Sequence, residues 1–203
     1  MALVMKRNAL CWLRFLKQCK LVATEVGFYN SDVLGINKKS IIEIEIKNSR
    51  SDFLNDFKKR KHRTYANPNK GDWVPHFFYF YVPSGLVEFA TDQLKTYHAP
   101  ELQIAKYGII SDTNSVYRAD SNFSTWQSIS VCKKPTRLHK NDISERVKND
   151  TIARMSSDLA NMYINNGTLL EHIDTLRQST YDQIKGLEDR LNSLPVPEPE
   201  EEE

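Results

Sequence analysis

Three charged residues in this sequence have a spacing suited to phosphodiester chemistry. Asp32 opens a short apolar run, and Glu45 and Lys47 lie two residues apart in the segment 41–47. Isoleucine alternates with charged residues in that segment, which predicts a β-strand with Glu45 and Lys47 on one face. Carboxylates bind Mg²⁺, and a neighbouring lysine can orient water or neutralise the attacked phosphate. The pattern therefore indicates metal-assisted phosphodiester hydrolysis.

A β-hairpin would bring Asp32 next to Glu45. Strands are predicted at residues 32–36 and 41–47. With a four-residue turn at 37–40, Asp32 lies directly opposite Glu45. Like charges at that separation, about 5 Å, destabilise a sheet, and a divalent cation bound by both would remove the penalty. The alternative interpretation is a solvated strand face with ordinary salt bridges.

A longer stretch around these residues is more specific than the three charges alone. Asp32 followed by Glu45-Ile46-Lys47 resembles the PD-(D/E)xK nuclease signature, with Ser31 in place of its proline. The chain is more closely similar to the MmcB-like DNA-repair family, over roughly residues 20–135. The segments that carry this similarity are Thr24-Glu25, Ser31-Asp32-Val33-Leu34, the run from Glu45 to Lys58, the aromatic segment Phe77 to Pro83, and Tyr107-Gly108-Ile109-Ile110.

The resemblance implies a restriction-endonuclease-like fold, a DNA substrate and a requirement for Mg²⁺ or Mn²⁺. By the same resemblance, Asp32 and Glu45 are metal ligands, Lys47 is the catalytic lysine, and Glu25 is a candidate outer ligand. Supporting polar groups are expected at Asp52, Asp56 and Tyr65.

A basic run follows the motif, and two interpretations of it remain open. It is either a solvated helix end that complements the helix dipole or a surface that contacts DNA phosphates. Lys58 also departs from the nucleases that carry glutamine at this point. The candidate nucleic-acid-binding residues are Lys58, Lys59, Arg60, Lys61 and Arg63.

The order of predicted elements gives an α/β domain at residues 1–140. We expect a mixed sheet core flanked by helices, because helical and extended patterns alternate along it. A capping box at Ser49 and Asp52 opens the helix after the motif strand. Helices are predicted at 4–20, from Ser49 and at 85–97; strands are predicted at 21–26, 32–36, 41–47, 76–82, 107–111, 115–118 and 126–132.

Residues 141–194 form a predicted helical appendage, followed by an acidic, disordered tail at 195–203. Asn166-Gly167 is expected to break the helix, and a capping box at Thr168 and Glu171 to restart it. An apolar stripe then has nearly heptad spacing. The stripe either packs onto the sheet domain or forms a homodimer through residues 168–194. Its members are Leu169, Ile173, Leu176, Ile184, Leu187, Leu191 and Leu194.

Composition narrows the function classes further. Three cysteines without a CxxC pair argue against a disulfide framework, a structural zinc site or an iron–sulfur cluster. Basic residues interrupt the apolar first twenty positions, and no later stretch has membrane-spanning length. We therefore expect a cytoplasmic protein that does not enter the membrane.

The most consistent function is a Mg²⁺- or Mn²⁺-dependent deoxyribonuclease in DNA repair or in phage or bacterial DNA processing. One alternative is a catalytically silent nucleic-acid-binding protein with the same fold. Another is an adaptor in which the helices after residue 142 bind a partner. The intact set of Asp32, Glu45 and Lys47 favours the enzyme, since a silent relative is free to lose one of them.

Overall fold

The computed structural model describes residues 2–27, 29–69, 72–97, 100–118 and 125–192. The chain divides into two compact units, residues 1–156 and 157–203. The first unit contains a sheet and its flanking helices, together with the start of the last helix. The second unit contains the rest of that helix. Among the described residues no helix combines the length and apolar character needed to cross a membrane.

The first unit is built on a six-stranded mixed sheet whose strands lie side by side in chain order. The first three strands are antiparallel neighbours, the third, fourth and fifth run parallel, and the sixth is antiparallel to the fifth. Each parallel connection passes through helices. This confirms the mixed sheet flanked by helices. The strands are β1 (Leu21–Val26), β2 (Ser31–Ile36), β3 (Ile41–Ile46), β4 (Phe77–Tyr81), β5 (Gly108–Arg118) and β6 (Thr125–Lys133).

The β2–β3 hairpin has the predicted register. Val33 pairs with Ile44, so the next pair along the ladder sets Asp32 opposite Glu45. The turn is fixed by Asn37, whose Oδ1 accepts the backbone N–H groups of Lys39 and Ser40, each at 2.9 Å. A local side-chain hydrogen bond of this kind sets the turn, and the turn length sets the register.

One face of the sheet packs against the N-terminal helix α1 (Ala2–Cys11), which a π-helical turn extends through Trp12–Leu16. The helix predicted at 4–20 is therefore shorter, and Leu16 at its end is exposed. Cys19 is buried beyond the end of the helix. The apolar face of β3 contributes Ile42, Ile44 and Ile46 to this core.

The opposite face of the sheet is covered by α2 (Arg50–Asp56), α3 (Arg60–Ala66) and α4 (Val87–Thr96). As predicted, Ser49 caps α2: its Oγ accepts the N–H of Asp52 at 3.1 Å. The basic run does not end this helix, however. Lys59 has an extended backbone, with φ −68° and ψ 139°, and α3 starts at the next residue. This interruption gives α3 its own orientation.

The aromatic strand β4 lies in the core, as its sequence predicts. Phe78, Phe80 and Tyr81 are completely buried, as is usual for a central strand flanked by parallel neighbours. The strands predicted separately at 107–111 and 115–118 form one strand, β5, with irregular pairing to β6 between Asp112 and Val116.

The last helix, α5 (Glu145–Asn192), runs without interruption. The predicted break at Asn166-Gly167 is wrong, and Thr168 does not cap a new helix, because its Oγ1 bonds to the carbonyl oxygen of Ile164 at 3.2 Å. One interior glycine costs a helix only about 1 kcal/mol, which is too little to end a helix of this length.

The apolar stripe of α5 is exposed where it runs through the second unit. Leu169, Leu176 and Leu187 are each more than half exposed. Within the first unit the same helix begins with buried residues, Val147 and Thr151. Leu194 and the tail at 195–203 lie outside the described residues.

Stability should fall in mild acid, because His76 must stay neutral in the fold. Its Nδ1 accepts the N–H of Ile41 at 3.0 Å, and its Nε2 donates to the carbonyl of Asn141 at 2.8 Å. Burial lowers the pKa of His76 to about 4. A depressed pKa gives stability that is present above pH 6.5 and is lost as the pH falls toward 4.

We expect the free energy of unfolding to decrease by on the order of 2–3 kcal/mol across that window. His76→Gln should weaken this pH dependence in urea unfolding at pH 7 and pH 4.5. His172→Gln, at an exposed position of α5, is the matched control. An unchanged slope in His76→Gln would refute the assignment.

Candidate active site

The charged face of β3 lies inside the protein. Glu43 is fully buried, and Glu45 and Lys47 are each 4% exposed. In the register of β3 and β4, Glu43 pairs with Phe78 and Glu45 with Phe80. The carboxylates therefore share their side of the sheet with the aromatic core, and the interpretation of a solvated strand face is wrong.

Glu45 is the centre of a buried charge cluster, and three lysines contact its carboxylate. Lys47 Nζ lies 3.1 Å and Lys59 Nζ 2.6 Å from Oε1, and Lys61 Nζ lies 2.7 Å from Oε2. Burial would raise the pKa of Glu45, but the charges of Lys61 and Lys47 outweigh burial and lower it. The carboxylate is therefore ionised at neutral pH.

Lys61 bonds α3 to β3 from inside the protein. Its Nζ lies 3.2 Å from Glu43 Oε1 and 5.1 Å from the centre of the Phe78 ring, and the residue is 1% exposed. Burial lowers the pKa of the ammonium, but Glu43 and Glu45 more than reverse this and raise it. Tyr65 donates to the other oxygen of Glu43 at 2.7 Å.

Lys61 therefore does not fit its predicted place among the DNA-contacting residues. The prediction treated the basic run as one exposed helix end. Because α3 starts afresh at Arg60, the next residue is turned toward the sheet instead of toward solvent. The other four candidates, Lys58, Lys59, Arg60 and Arg63, are exposed.

Asp56, the last residue of α2, completes the cluster. Its Oδ1 lies 2.8 Å from Lys47 Nζ and 2.5 Å from Lys59 Nζ, and its Oδ2 lies 2.8 Å from His62 Nε2. On the far side of the ring, His62 Nδ1 lies 2.9 Å from the Tyr107 hydroxyl. Burial lowers the pKa of His62, so the neutral ring donates from Nε2 to Asp56 and accepts from Tyr107.

The described cluster is balanced in charge. Its three carboxylates are matched by three ammonium groups, which is the condition under which buried charges are tolerated. Lys59 differs from the others because its side chain is 48% exposed, so it can leave the cluster without unfolding the protein. The members are Glu43, Glu45 and Asp56 with Lys47, Lys59 and Lys61.

Asp32 lies at the edge of this cluster, near the start of β2. Its Oδ2 accepts the backbone N–H of Ile46 at 2.8 Å, which holds the carboxylate against the strand that carries Glu45. Its Oδ1 lies 3.7 Å from Lys6 Nζ. Burial and the negative charge of Glu45 raise the pKa of Asp32. Asp32 therefore lies opposite Glu45 in the hairpin, near enough for the charge of Glu45 to act on its carboxyl group.

Glu25, the candidate outer ligand, is held by other partners. It forms an ion pair with Lys6 of α1, and its Oε2 accepts a hydrogen bond from Asn30 at 2.6 Å. The β1–β2 register, with Val26 paired to Ser31, places Glu25 next to Asp32. Lys6 thus contacts both carboxylates.

Asp52 and Tyr65, the remaining supporting residues, have different positions. Asp52 lies in the first turn of α2. Its side chain is half exposed, and it lies 3.7 Å from Lys47 Nζ. Tyr65 is completely buried, and its pKa is raised by burial and by Glu43. It holds Glu43 in place and does not face solvent.

Sequence reasoning missed four members of the site: Lys6, Glu43, His62 and Tyr107. His62 lies six residues from Asp56, a spacing that no regular helix brings together, and Tyr107 comes from a distant segment. Lys6 lies on α1, where it resembled any other basic residue of an amphipathic helix. The one available signal was the position of Glu43 on the same strand face as Glu45.

Asp32 and Glu45 offer donors suited to a small divalent cation. Mg²⁺ is usually held by one or two carboxylates, with water and substrate phosphate completing its shell. Among the described residues, no three His, Cys, Asp or Glu side chains are grouped to hold a metal. A cation shared by Asp32 and Glu45 would therefore depend on water and substrate for its other ligands, with Lys59 displaced from Glu45.

Comparisons with known proteins give one structural likeness. No model of a known protein family matches the chain, and no curated protein matches it. A protein of unknown function from Silicibacter pomeroyi, SPO1766, is similar in structure with 16% sequence identity and a TM-score of 0.45. The likeness covers 80% of this chain and 88% of that one.

Loss of Lys61 should destabilise the protein far more than loss of Lys59. Lys61→Met leaves Glu43 and Glu45 buried without their shared partner, which costs about 3–5 kcal/mol. Lys59→Met removes a half-exposed partner and should cost less than about 1 kcal/mol. Urea unfolding at pH 7 measures both. Equal losses would show that Lys61 is as accessible as Lys59.

Proposed function

We propose that this protein is a divalent-metal-dependent nuclease that hydrolyses phosphodiester bonds of DNA. The observation that carries the proposal is the register of the β2–β3 hairpin, which sets Asp32 opposite Glu45, with Lys47 two residues further along from Glu45. Asp32 is bonded to the backbone of Ile46 at 2.8 Å, and Lys47 contacts Glu45 at 3.1 Å. The resemblance of residues 20–135 to PD-(D/E)xK nucleases, including the MmcB-like family, supports the same assignment.

In this proposal Asp32 and Glu45 hold Mg²⁺ or Mn²⁺, with Glu25 as the outer carboxylate. The bound cation supplies Lewis acidity and an activated water. Lys47 assists the attacking water and stabilises the phosphate. Asp56 positions Lys47 through an ion pair at 2.8 Å, so that its ammonium keeps one orientation. His62 in turn fixes Asp56.

The surface lysines and arginines provide the DNA contact. Lys58, Lys59, Arg60 and Arg63 are exposed on the short segment that follows α2 and on α3. Lys59 has a dual position, because it contacts Glu45 and Asp56 while nearly half of its side chain faces solvent. An incoming phosphate would compete for this ammonium and release the carboxylate of Glu45 for the cation.

The cleavage assay uses supercoiled plasmid and single-stranded circles with Mg²⁺, Mn²⁺ or EDTA. Metal-dependent loss of the intact circle is expected for the wild type. Asp32→Asn and Lys47→Gln should reduce the rate by on the order of 10²-fold or more, the effect of removing one transition-state contact. Lys38→Gln, in the exposed hairpin turn, is the control for Lys47→Gln, with the same change in charge.

Circular dichroism must first show that each variant is folded. Cleavage by Asp32→Asn at the wild-type rate would refute the metal assignment. Cleavage by folded Lys47→Gln at the wild-type rate would refute the role of the lysine.

The charge balance of the cluster favours one second candidate, a nucleic-acid-binding protein without cleavage. Three lysines already neutralise Glu45, so the fold does not depend on a cation. The assay separates the candidates. Binding that persists in EDTA, with no cleavage in either metal, would identify the silent protein.

We also propose that the second unit pairs with a second copy of the same chain. Apolar residues recur along α5 at steps of three, four or seven residues, with one step of eight across Thr180, and most of them are exposed. Each buried side chain of this kind removes roughly 60–120 Å² of apolar surface from water. Nine of them together remove roughly 540–1,080 Å², which is the scale of a stable interface, about 800 Å² per partner. The exposed members are Leu159, Met162, Leu169, Leu176, Ile184 and Leu187, with Tyr163, Leu170 and Tyr181 beside them.

Asn166 is the argument for an identical partner. It lies seven residues before Ile173 and seven after Leu159, so it occupies an interior position of the stripe. A single asparagine at such a position sets register in two-stranded parallel coils, because it bonds with its counterpart at the same level. The expected dimer through 168–194 therefore starts earlier on the continuous helix.

Leu169→Glu/Leu176→Glu should convert a dimer into a folded monomer, since two charges then enter the apolar seam. Thr168→Glu/Thr175→Glu adds the same charges to neighbouring exposed positions of the helix and should leave the dimer intact. Multi-angle light scattering gives the mass in each case. A wild type that is monomeric at high micromolar concentration would contradict the proposal.

A further inference from the structure

An open cleft of about 660 Å³ lies on the outer side of α3. Its size falls within the range of sites that bind small molecules or single nucleotides. The lining residues come from the β1–β2 turn, from α3 and the loop after it, and from the first turns of α5. All of them belong to the first compact unit.

Helix α3 separates the cleft from the buried cluster. Its residues Lys61 and Tyr65 face Glu43 and Glu45, whereas Arg60, Arg63 and Thr64 line the cleft. One short helix therefore carries both the inner contacts of the candidate active site and the wall of the cleft.

The arginines give the cleft a positive side. Arg60 and Arg63 are exposed and have no ion pair within the described part of the chain. The third arginine, Arg146, lies 3.8 Å from Asp150. Asp72, the other acidic group of the lining, accepts a backbone N–H at 2.7 Å. Two guanidinium groups thus remain available for an anion, and paired guanidinium groups suit phosphate oxygens.

Two aromatic rings form the apolar part of the same cleft. Tyr29 and Trp73 both line it and are partly exposed. Trp73 is fixed by Gly27, where φ is +83° and an added Cβ would lie 2.2 Å from the indole ring. Tyr29 is fixed by a hydrogen bond of 2.8 Å to Thr64 and by edge contact with the ring of Tyr65. Rings held in place in this way suit stacking with a nucleobase.

We infer that this cleft binds an unpaired nucleotide of a DNA strand, with its phosphate at Arg60 and Arg63 and its base against Trp73 or Tyr29. Asn67 and Asn69 lie in the same lining and supply amide groups for the edge of the base. A base inside a duplex has no free face for such stacking. The cleft therefore selects single strands or frayed ends.

This inference rests on the nucleic-acid substrate proposed above, and it names the form of that substrate. The contact from Tyr29 through Tyr65 to Glu43 joins the cleft wall to the cluster around Glu45. A strand held in the cleft would thus be bound by the same helix that completes the cleavage centre.

The test is fluorescence anisotropy with a labelled single-stranded oligonucleotide and the corresponding blunt duplex, in EDTA. The single strand should bind the wild type at least about tenfold more tightly. Arg63→Gln and Trp73→Leu should each weaken single-strand binding by about tenfold. Lys38→Gln removes the same charge from the exposed β2–β3 turn, outside the cleft, and should change binding less than about twofold.

Three outcomes would overturn the inference. These are equal affinity for the duplex, equal effects of Arg63→Gln and Lys38→Gln, and competition by free thymidine monophosphate as strong as that of the oligonucleotide. Arg63 is exposed, so its variant is informative even if Trp73→Leu fails to fold.

The test is independent of cleavage because EDTA removes the metal. Cleft-dependent binding without cleavage in Mg²⁺ or Mn²⁺ would end the nuclease proposal and leave this site standing. Cleavage together with binding that Arg63→Gln does not change would refute the cleft as a binding site and leave the nuclease proposal standing.

Discussion

The structure depends on one buried contact, the ammonium of Lys61 between the carboxylates of Glu43 and Glu45. It ties α3 to β3 at 3.2 Å and 2.7 Å in an environment of aromatic rings. Breaking such a pair from one side leaves an uncompensated buried charge. Tyr65 of the same helix bonds to Glu43 at 2.7 Å, so α3 is held against β3 at two positions one turn apart.

The same contact explains how a sheet tolerates acidic residues on a buried face. Lys61 of α3 neutralises Glu43 and Glu45. Lys47 neutralises Asp56, which His62 also contacts. Balance of charge makes the cluster compatible with the core, and the half-exposed Lys59 makes it adjustable. A cation at Asp32 and Glu45 would exchange with that ammonium without disturbing Lys61. Glu45 could therefore hold the proposed cation and keep its contact with Lys61 at the same time.

Local signals made part of this predictable from sequence. The turn at Asn37 and the alternation in β3 determined the hairpin register, and with it the approach of Asp32 to Glu45. The cap at Ser49 located the start of α2.

The parts that could not be predicted depend on contacts between distant segments. Alternation shows that a strand has two faces but not which of them is covered, so the burial of Glu43 was hidden. The restart of the helix at Arg60 decided that Lys61 points inward, and the break at Lys59 has no glycine or proline to mark it. On α5 the sequence predicted a break that is absent. Asn166-Gly167 commonly ends a helix, but α5 continues through it.

The central claim is that Asp32 and Glu45 together form a site for a divalent cation. The most direct measurement is the thermal midpoint of wild type and Asp32→Asn in EDTA and in millimolar Mn²⁺. Because a ligand that binds the folded state raises the midpoint, we predict a rise of several degrees in the wild type and none in Asp32→Asn. No rise in the wild type, or the same rise in both proteins, would contradict the account.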